Sequence, residues 1–146
     1  AVLPDQADEI HALAGEISRL LALAPSGPLV PTHGDYYEAN IFTRDGRASS
    51  VIDLDSLGPG RRDDDLACLL GHVSVLPNLS PEHYPRVAEV VETWRAEFER
   101  VVHPASLRAR TAAVILSLVS GADVPTALAR LDLARAWLVR ARQALS

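Results

Sequence analysis

His33-Gly34-Asp35-Tyr36-Tyr37-Glu38-Ala39-Asn40-Ile41-Phe42, followed by Val51-Ile52-Asp53-Leu54-Asp55, is the stretch on which the fold turns. An aspartate and an asparagine stand five residues apart, and a second aspartate follows thirteen residues later at the end of an apolar run. These residue types suit phosphoryl transfer. A substrate hydroxyl needs a carboxylate to orient it and take its proton, which Asp35 offers. Magnesium needs hard oxygen ligands, and the Asn40 amide and the Asp53 carboxylate are such donors.

Between the two halves lies Thr43-Arg44-Asp45-Gly46-Arg47, an Asp-Gly turn signal with a short apolar run on each side. It predicts a β-hairpin. Such a hairpin returns Asn40, entering its first strand, to the side of Asp53, leaving its second, so that both can share one ion. Asp53 and Asp55 fall on one side if the segment is extended, and two such carboxylates repel unless a cation lies near them.

Taken together, His33-Gly34-Asp35, four residues, Asn40-Ile41-Phe42, the Asp-Gly turn, Val51-Ile52-Asp53, a glycine and then Asp65-Leu66-Ala67 resemble the aminoglycoside phosphotransferase and choline kinase family. The resemblance covers about residues 29 to 70, and residues 1 to 28 and 71 to 146 match only in being helical. This chain has Gly60-Arg61-Arg62 where the family often has Gly-Asp-Pro. The resemblance implies a protein-kinase-like fold, ATP or another nucleoside triphosphate as phosphoryl donor and magnesium as its companion ion. It further implies Asp35 as catalytic base, Asn40 and Asp53 as metal ligands, His33 as a packing and hydrogen-bonding residue of the catalytic loop, and Asp65 as the group tying that loop down. Asp55 is a supporting carboxylate beside the metal.

The chain has 146 residues, net charge -5 and 48% hydrophobic residues, enough for one domain with its own core. No basic run is present, which argues against nucleic acid or an anionic membrane surface as a partner and leaves a cationic small molecule as a suitable one. The longest nearly apolar run, Ala112 to Val119, is too short to span a bilayer. A cytoplasmic protein is expected. Cys68, the lone cysteine, sits in an apolar helical pattern and reads as a small core residue. His72, four residues on, lacks further ligands for a soft metal and reads as structural.

All fourteen basic residues are arginine, and there is no lysine. Kinases of this kind grip the nucleotide with a strand lysine and a glycine-rich loop in a separate N-terminal lobe. The expectation is therefore the C-terminal lobe, residues 1 to 146, without its nucleotide lobe and inactive alone. The face that lobe would cover should be apolar, with self-association into a homodimer as a consequence.

Flanking elements read as helices. Residues 4 to 24 carry Ile10, Leu13, Ile17, Leu20 and Leu21 at helical spacing, stopped by Pro25-Ser26-Gly27-Pro28. Asp63-Asp64-Asp65 opens a second helix ended by Pro77, with Asp63 and Asp64 read as a solvated cap. Ser80-Pro81 is read as starting a third, with Val87, Val90, Val91, Trp94, Phe98 and Val101 inward. A fourth follows Pro104 and closes at Gly121; the last opens at Asp123-Pro125, with Leu128, Leu131, Leu138 and Leu145 inward and its arginines in solvent. Trp94 and Trp137 are read as core anchors. Glu82, Glu89, Glu92 and Asp123 are candidates for holding a cationic acceptor.

The predicted class is α+β, mainly α-helical, with a small β-hairpin carrying the active site. Two rivals stand beside it. The Val-Ile-Asp-Leu-Asp run also resembles the nucleophile strand of haloacid dehalogenase phosphatases, which requires alternating strands and helices that residues 63 to 146 do not offer. The other rival is a non-catalytic binding module descended from such a kinase.

Overall fold

A computed structural model describes residues 2–146. Pro4 opens a short 3-10 turn, Pro4–Gln6, that runs into helix α1, Ala7–Leu23. Asp8 and Glu9 lie in the first turn of α1, at the positive end of its dipole. Ile17 and Leu20 are its buried residues, and the helix stops before Pro25. Strand β1, Leu29–Thr32, leads to the loop beginning at His33, then to a 3-10 turn, Glu38–Asn40.

Strands β2, Ile41–Arg44, and β3, Arg47–Val51, form the hairpin, with Ile41 opposite Val51 and Arg44 opposite Arg47. Its turn residues Asp45 and Gly46 both have positive φ, 52° and 72°. This left-handed pair matches the natural twist of the two strands. A 3-10 turn, Leu54–Ser56, follows, and strand β4, Gly58–Arg61, comes back antiparallel to β1 with Thr32 opposite Gly58.

Among the described residues the sheets are two antiparallel pairs, β1 with β4 and β2 with β3. The alternating strands and helices that the phosphatase alternative requires are absent among the described residues. Helix takes 62% of the chain, so the molecule is α+β with helix dominant.

Four helices follow: α2, Arg62–Leu79; α3, Val87–Phe98; α4, Pro104–Ser117; and α5, Val124–Gln143. Helix α4 is the hub, packing against α1, α2 and α5. Its Leu107, Ala109, Ala112 and Ile115 are fully buried. Gly71 of α2 lets the two helices close: a Cβ there would stand 2.5 Å from Val114 Cγ1. Ile17, Leu70, Leu107, Ile115, Trp137 and Leu138 form one core; Leu3, Val119, Ala127 and Leu131 form a smaller one beside it. No described helix is long and apolar enough to cross a membrane.

Several boundaries differ from the sequence reading. Pro77 lies inside α2, in its last turns, where a proline's φ is compatible with helix and the loss is one hydrogen bond. Ser80-Pro81 starts turns rather than a helix: the His83 and Tyr84 N–H groups bond back to Ser80 and Pro81, and α3 begins only at Val87. Val101, 58% exposed, and Leu128, 40% exposed, are not core residues. Trp137 is buried, whereas Trp94 is half-buried against Phe98 at 6.4 Å between rings.

The arginines of α5 are cross-linked rather than free in solvent. Arg135 pairs with Glu9, Arg140 with Glu92 and Arg142 with Glu16, joining α5 to α1 and α3. Glu99 is held by Arg95 at 2.6 Å and by Arg108 at 2.6 Å, which clamps the end of α3 onto α4.

Candidate active site

The loop from His33 to Tyr37 is fastened from three directions. Asp65, in the first turn of α2, accepts the backbone N–H of His33 at 2.8 Å and of Gly34 at 3.0 Å. Its two carboxylate oxygens thus replace the strand ladder where β1 ends. His33, 7% exposed, reaches the other way. Its Nε2 donates to the carbonyl of Ile52 at 2.8 Å while Nδ1 accepts the N–H of Asp35 at 3.3 Å, which sets the Nε2–H tautomer. Asn40, 5% exposed, closes the third side, donating from Nδ2 to the Asp35 carbonyl at 3.0 Å.

Gly34 is required where it stands. Its φ is +85°, and a Cβ would come within 2.7 Å of both Ser56 Cβ and the Ser56 carbonyl. The loop therefore packs directly on the 3-10 turn that follows Asp53.

The hairpin sets the second half. Beyond the Ile41–Val51 pair, the Ile52 N–H donates to the Asn40 carbonyl at 3.0 Å, so Asn40 lies opposite the residue preceding Asp53. Asp53 adopts φ 62° and ψ 60°, a left-handed conformation that aspartate tolerates better than most residues. Here the extended reading of residues 51 to 55 fails. The strand ends at Val51, Asp53 turns the chain, and Asp55 lies in the 3-10 turn, so the two carboxylates do not share a side of one strand. The turn at Asp53 is needed to bring β4 back beside β1.

Charge distribution marks the same place. The carboxylates of Asp35, Asp53 and Asp55 have no hydrogen-bond or ion-pair partner among the described residues, and one oxygen of Glu38 is buried without a partner. By contrast, Glu9, Glu16, Glu92 and Glu99 are all matched with arginines. A carboxylate without a partner is open to binding a cation.

The donor set fits magnesium. With the Asn40 Nδ2 engaged by Asp35, its Oδ1 is left as an acceptor, and Asp53 adds a carboxylate. No group of three His, Cys, Asp or Glu capable of holding a metal comes together among the described residues. An ion held by one amide and one carboxylate would be completed by phosphate oxygens and water, which is how magnesium prefers to bind.

Three further groups have roles that their sequence positions did not disclose. Asp63, read as a solvated cap, is 3% exposed and bonds to Ser106 and to Arg110, whose Nε is 3.1 Å away. A neighbouring helix supplies the partners, which no local pattern could indicate. Cys68 lies behind the loop; burial, then Asp35, Asp65 and Glu38, push its thiol up to about 11. His72 packs against Tyr37, the rings tilted by 34° with centroids 4.8 Å apart. The four proposed acceptor-holding acids are engaged within the fold: Glu82 with Ser80 and His83, Glu89 with Arg86, Glu92 with Arg95 and Arg140, and Asp123 as the cap of α5.

In comparison with known proteins, a family model described as "Phosphotransferase enzyme family" matches residues 1–114. No curated protein and no solved structure matches the chain.

Proposed function

Because this chain belongs to the phosphotransferase enzyme family, we propose that it supplies the catalytic-loop half of a kinase that moves the γ-phosphoryl group of ATP to a hydroxyl of a small molecule. The observation that carries this reading is the fastening of the loop. His33, Asn40 and Asp65 hold Asp35 and the exit of the hairpin as one unit, and the carboxylates of Asp35 and Asp53 are left without partners. The strand pairing supports a kinase-like C-terminal lobe: β2 and β3 leave the loop as a hairpin, and β4 returns beside β1.

In this reading Asp35 orients the acceptor hydroxyl and takes its proton as the oxygen attacks phosphorus. Asn40 Oδ1 and Asp53 would hold magnesium, which when bound neutralises phosphate charge. Phe42 and Ile52, both about half exposed beside these residues, offer an apolar surface to a nucleotide base. The 146 residues contain no lysine, so the phosphate-gripping lysine and its covering loop would come from outside them. Leu29, Phe42, Ile52, Leu54 and Leu57 are exposed apolar residues that such a lobe, or a second copy, would cover. A cytoplasmic setting and an acceptor bearing positive charge complete the proposal.

The test is ADP release from ATP with a panel of aminoglycosides, amino alcohols and sugars, for these residues alone and joined to a lysine-bearing nucleotide lobe. The joined protein should turn over and Asp35→Asn should reduce its rate by about 10²–10⁴-fold. Turnover unaffected by Asp35→Asn would sink the assignment, and the absence of transfer by the joined protein would favour a non-catalytic binding module.

A further inference from the structure

A cleft of about 430 Å³ lies away from these carboxylates, where the linker after α1, the start of α2 and the α3–α4 connection meet. Its size falls within the roughly 300–1,000 Å³ of small-molecule sites. Pro28, Val30, Val101 and Val102 make its walls apolar. Its cationic groups are Arg62 and Arg100, gathered with the His103 ring in a chain of net charge -5.

The bonding of these groups leaves donors to spare. His103 Nδ1 accepts the Ala105 N–H at 3.2 Å, so the neutral ring keeps its proton on Nε2, which has no partner among the described residues. Arg62 has none either. Arg100 meets only Glu97, at 3.0 Å, in a pair whose side chains are 73% and 62% exposed. Asp63, the one acid lining the cleft, is already matched by Arg110 and Ser106.

We infer that this cleft binds a small organic monoanion with an apolar body, the charged head between Arg62, Arg100 and His103 and the body against the proline and valine walls. An inorganic anion would leave those walls in water, and a neutral apolar molecule would leave the guanidinium groups unmatched. The site is independent of phosphoryl transfer and is tested without it.

The experiment titrates naphthalene-2-sulfonate into the isotope-labelled 146-residue chain, following backbone amides by NMR and heat by calorimetry, with naphthalene-2-sulfonamide as the neutral comparison. Saturable binding is expected, with shifts concentrated at residues 25–30, 62–63 and 100–104. The sulfonamide and the double variant Arg62→Gln/Arg100→Gln should each bind about tenfold more weakly or worse, the fold-change of one lost charge-assisted contact. Val101→Phe, which fills the cleft from a solvent-facing position, should remove binding while leaving the melting temperature in place. Shifts centred on Phe42 and Ile52, equal binding of the sulfonamide, unaltered affinity in the variants, or no saturation would each overturn the inference.

Discussion

Asn40 donates from Nδ2 to the backbone carbonyl of Asp35 at 3.0 Å, across a five-residue loop whose two side chains serve different ends. The amide is divided: its nitrogen fixes the loop and its oxygen has no hydrogen-bond partner among the described residues. Asn40→Asp keeps an oxygen ligand but loses the donor, and Asn40→Ala loses both. In the chain joined to a lysine-bearing nucleotide lobe, Asn40→Ala should lower kcat by about 100-fold through misplacement of Asp35, with Asn40→Asp intermediate. Rates equal to wild type in both would show that the bond does not position the loop.

Magnesium should raise the melting temperature of the wild-type chain, because an ion that binds only the folded state stabilises it. Asp53→Asn keeps the left-handed backbone comfortable yet removes the charge, whereas Asp53→Ala also meets backbone strain of about 1 kcal/mol. Both variants should lose the magnesium shift, and only Asp53→Ala should melt lower without the ion. Thermal scans with and without magnesium decide; an undiminished shift in Asp53→Asn would place the ion elsewhere.

Gly34→Ala should cost about 2–3 kcal/mol, combining positive φ with overlap against Ser56. The loss is local to the loop, so the amides of residues 33 to 40 should change in NMR spectra while those of α4 and α5 stay put. Urea unfolding with wild-type stability would show that the loop can move aside.

Acid should unlock the α3–α4 clamp. Burial raises the Glu99 carboxyl, but bonds from Arg108 and Arg95 outweigh it and leave it below its ordinary 4.5. A depressed folded pKa means that the stability is present above the unfolded value and is lost as pH falls through the folded one. Glu99→Gln should therefore destabilise the chain by about 2 kcal/mol at pH 7 and flatten the loss of stability below pH 4.5. Parallel stability curves for variant and wild type from pH 6 to 3 would contradict this.

Cys68, pushed up to about 11 by burial and by Asp35, Asp65 and Glu38, should be almost entirely protonated at pH 8. Its alkylation by iodoacetamide in the folded chain should be slow, accelerating steeply in denaturant as the ordinary thiol pKa returns. Fast labelling of the folded chain would mean that the loop in front of it opens.

The hairpin and the order of helices were legible in sequence, because each rests on short-range chemistry. Asp45-Gly46 specifies a left-handed turn whatever surrounds it, Asp123 caps α5 through its own neighbour Thr126, and the apolar spacing of α1 marks the face that holds Ile17 and Leu20. The local geometry around Asp35, Asn40 and Asp53 rests on short-range chemistry too, since all three lie within one loop and hairpin. Tertiary structure alone decided which charges are buried and with whom. Asp63, Asp64 and Asp65 are adjacent and chemically identical, yet one is buried against Arg110 and Ser106, one stays half in solvent, and one holds the loop at His33 and Gly34. The difference arises because successive positions on a helix point about 100° apart and so meet different neighbours; those neighbours arrive from residues some thirty before and more than forty after in the chain, beyond the reach of any local pattern.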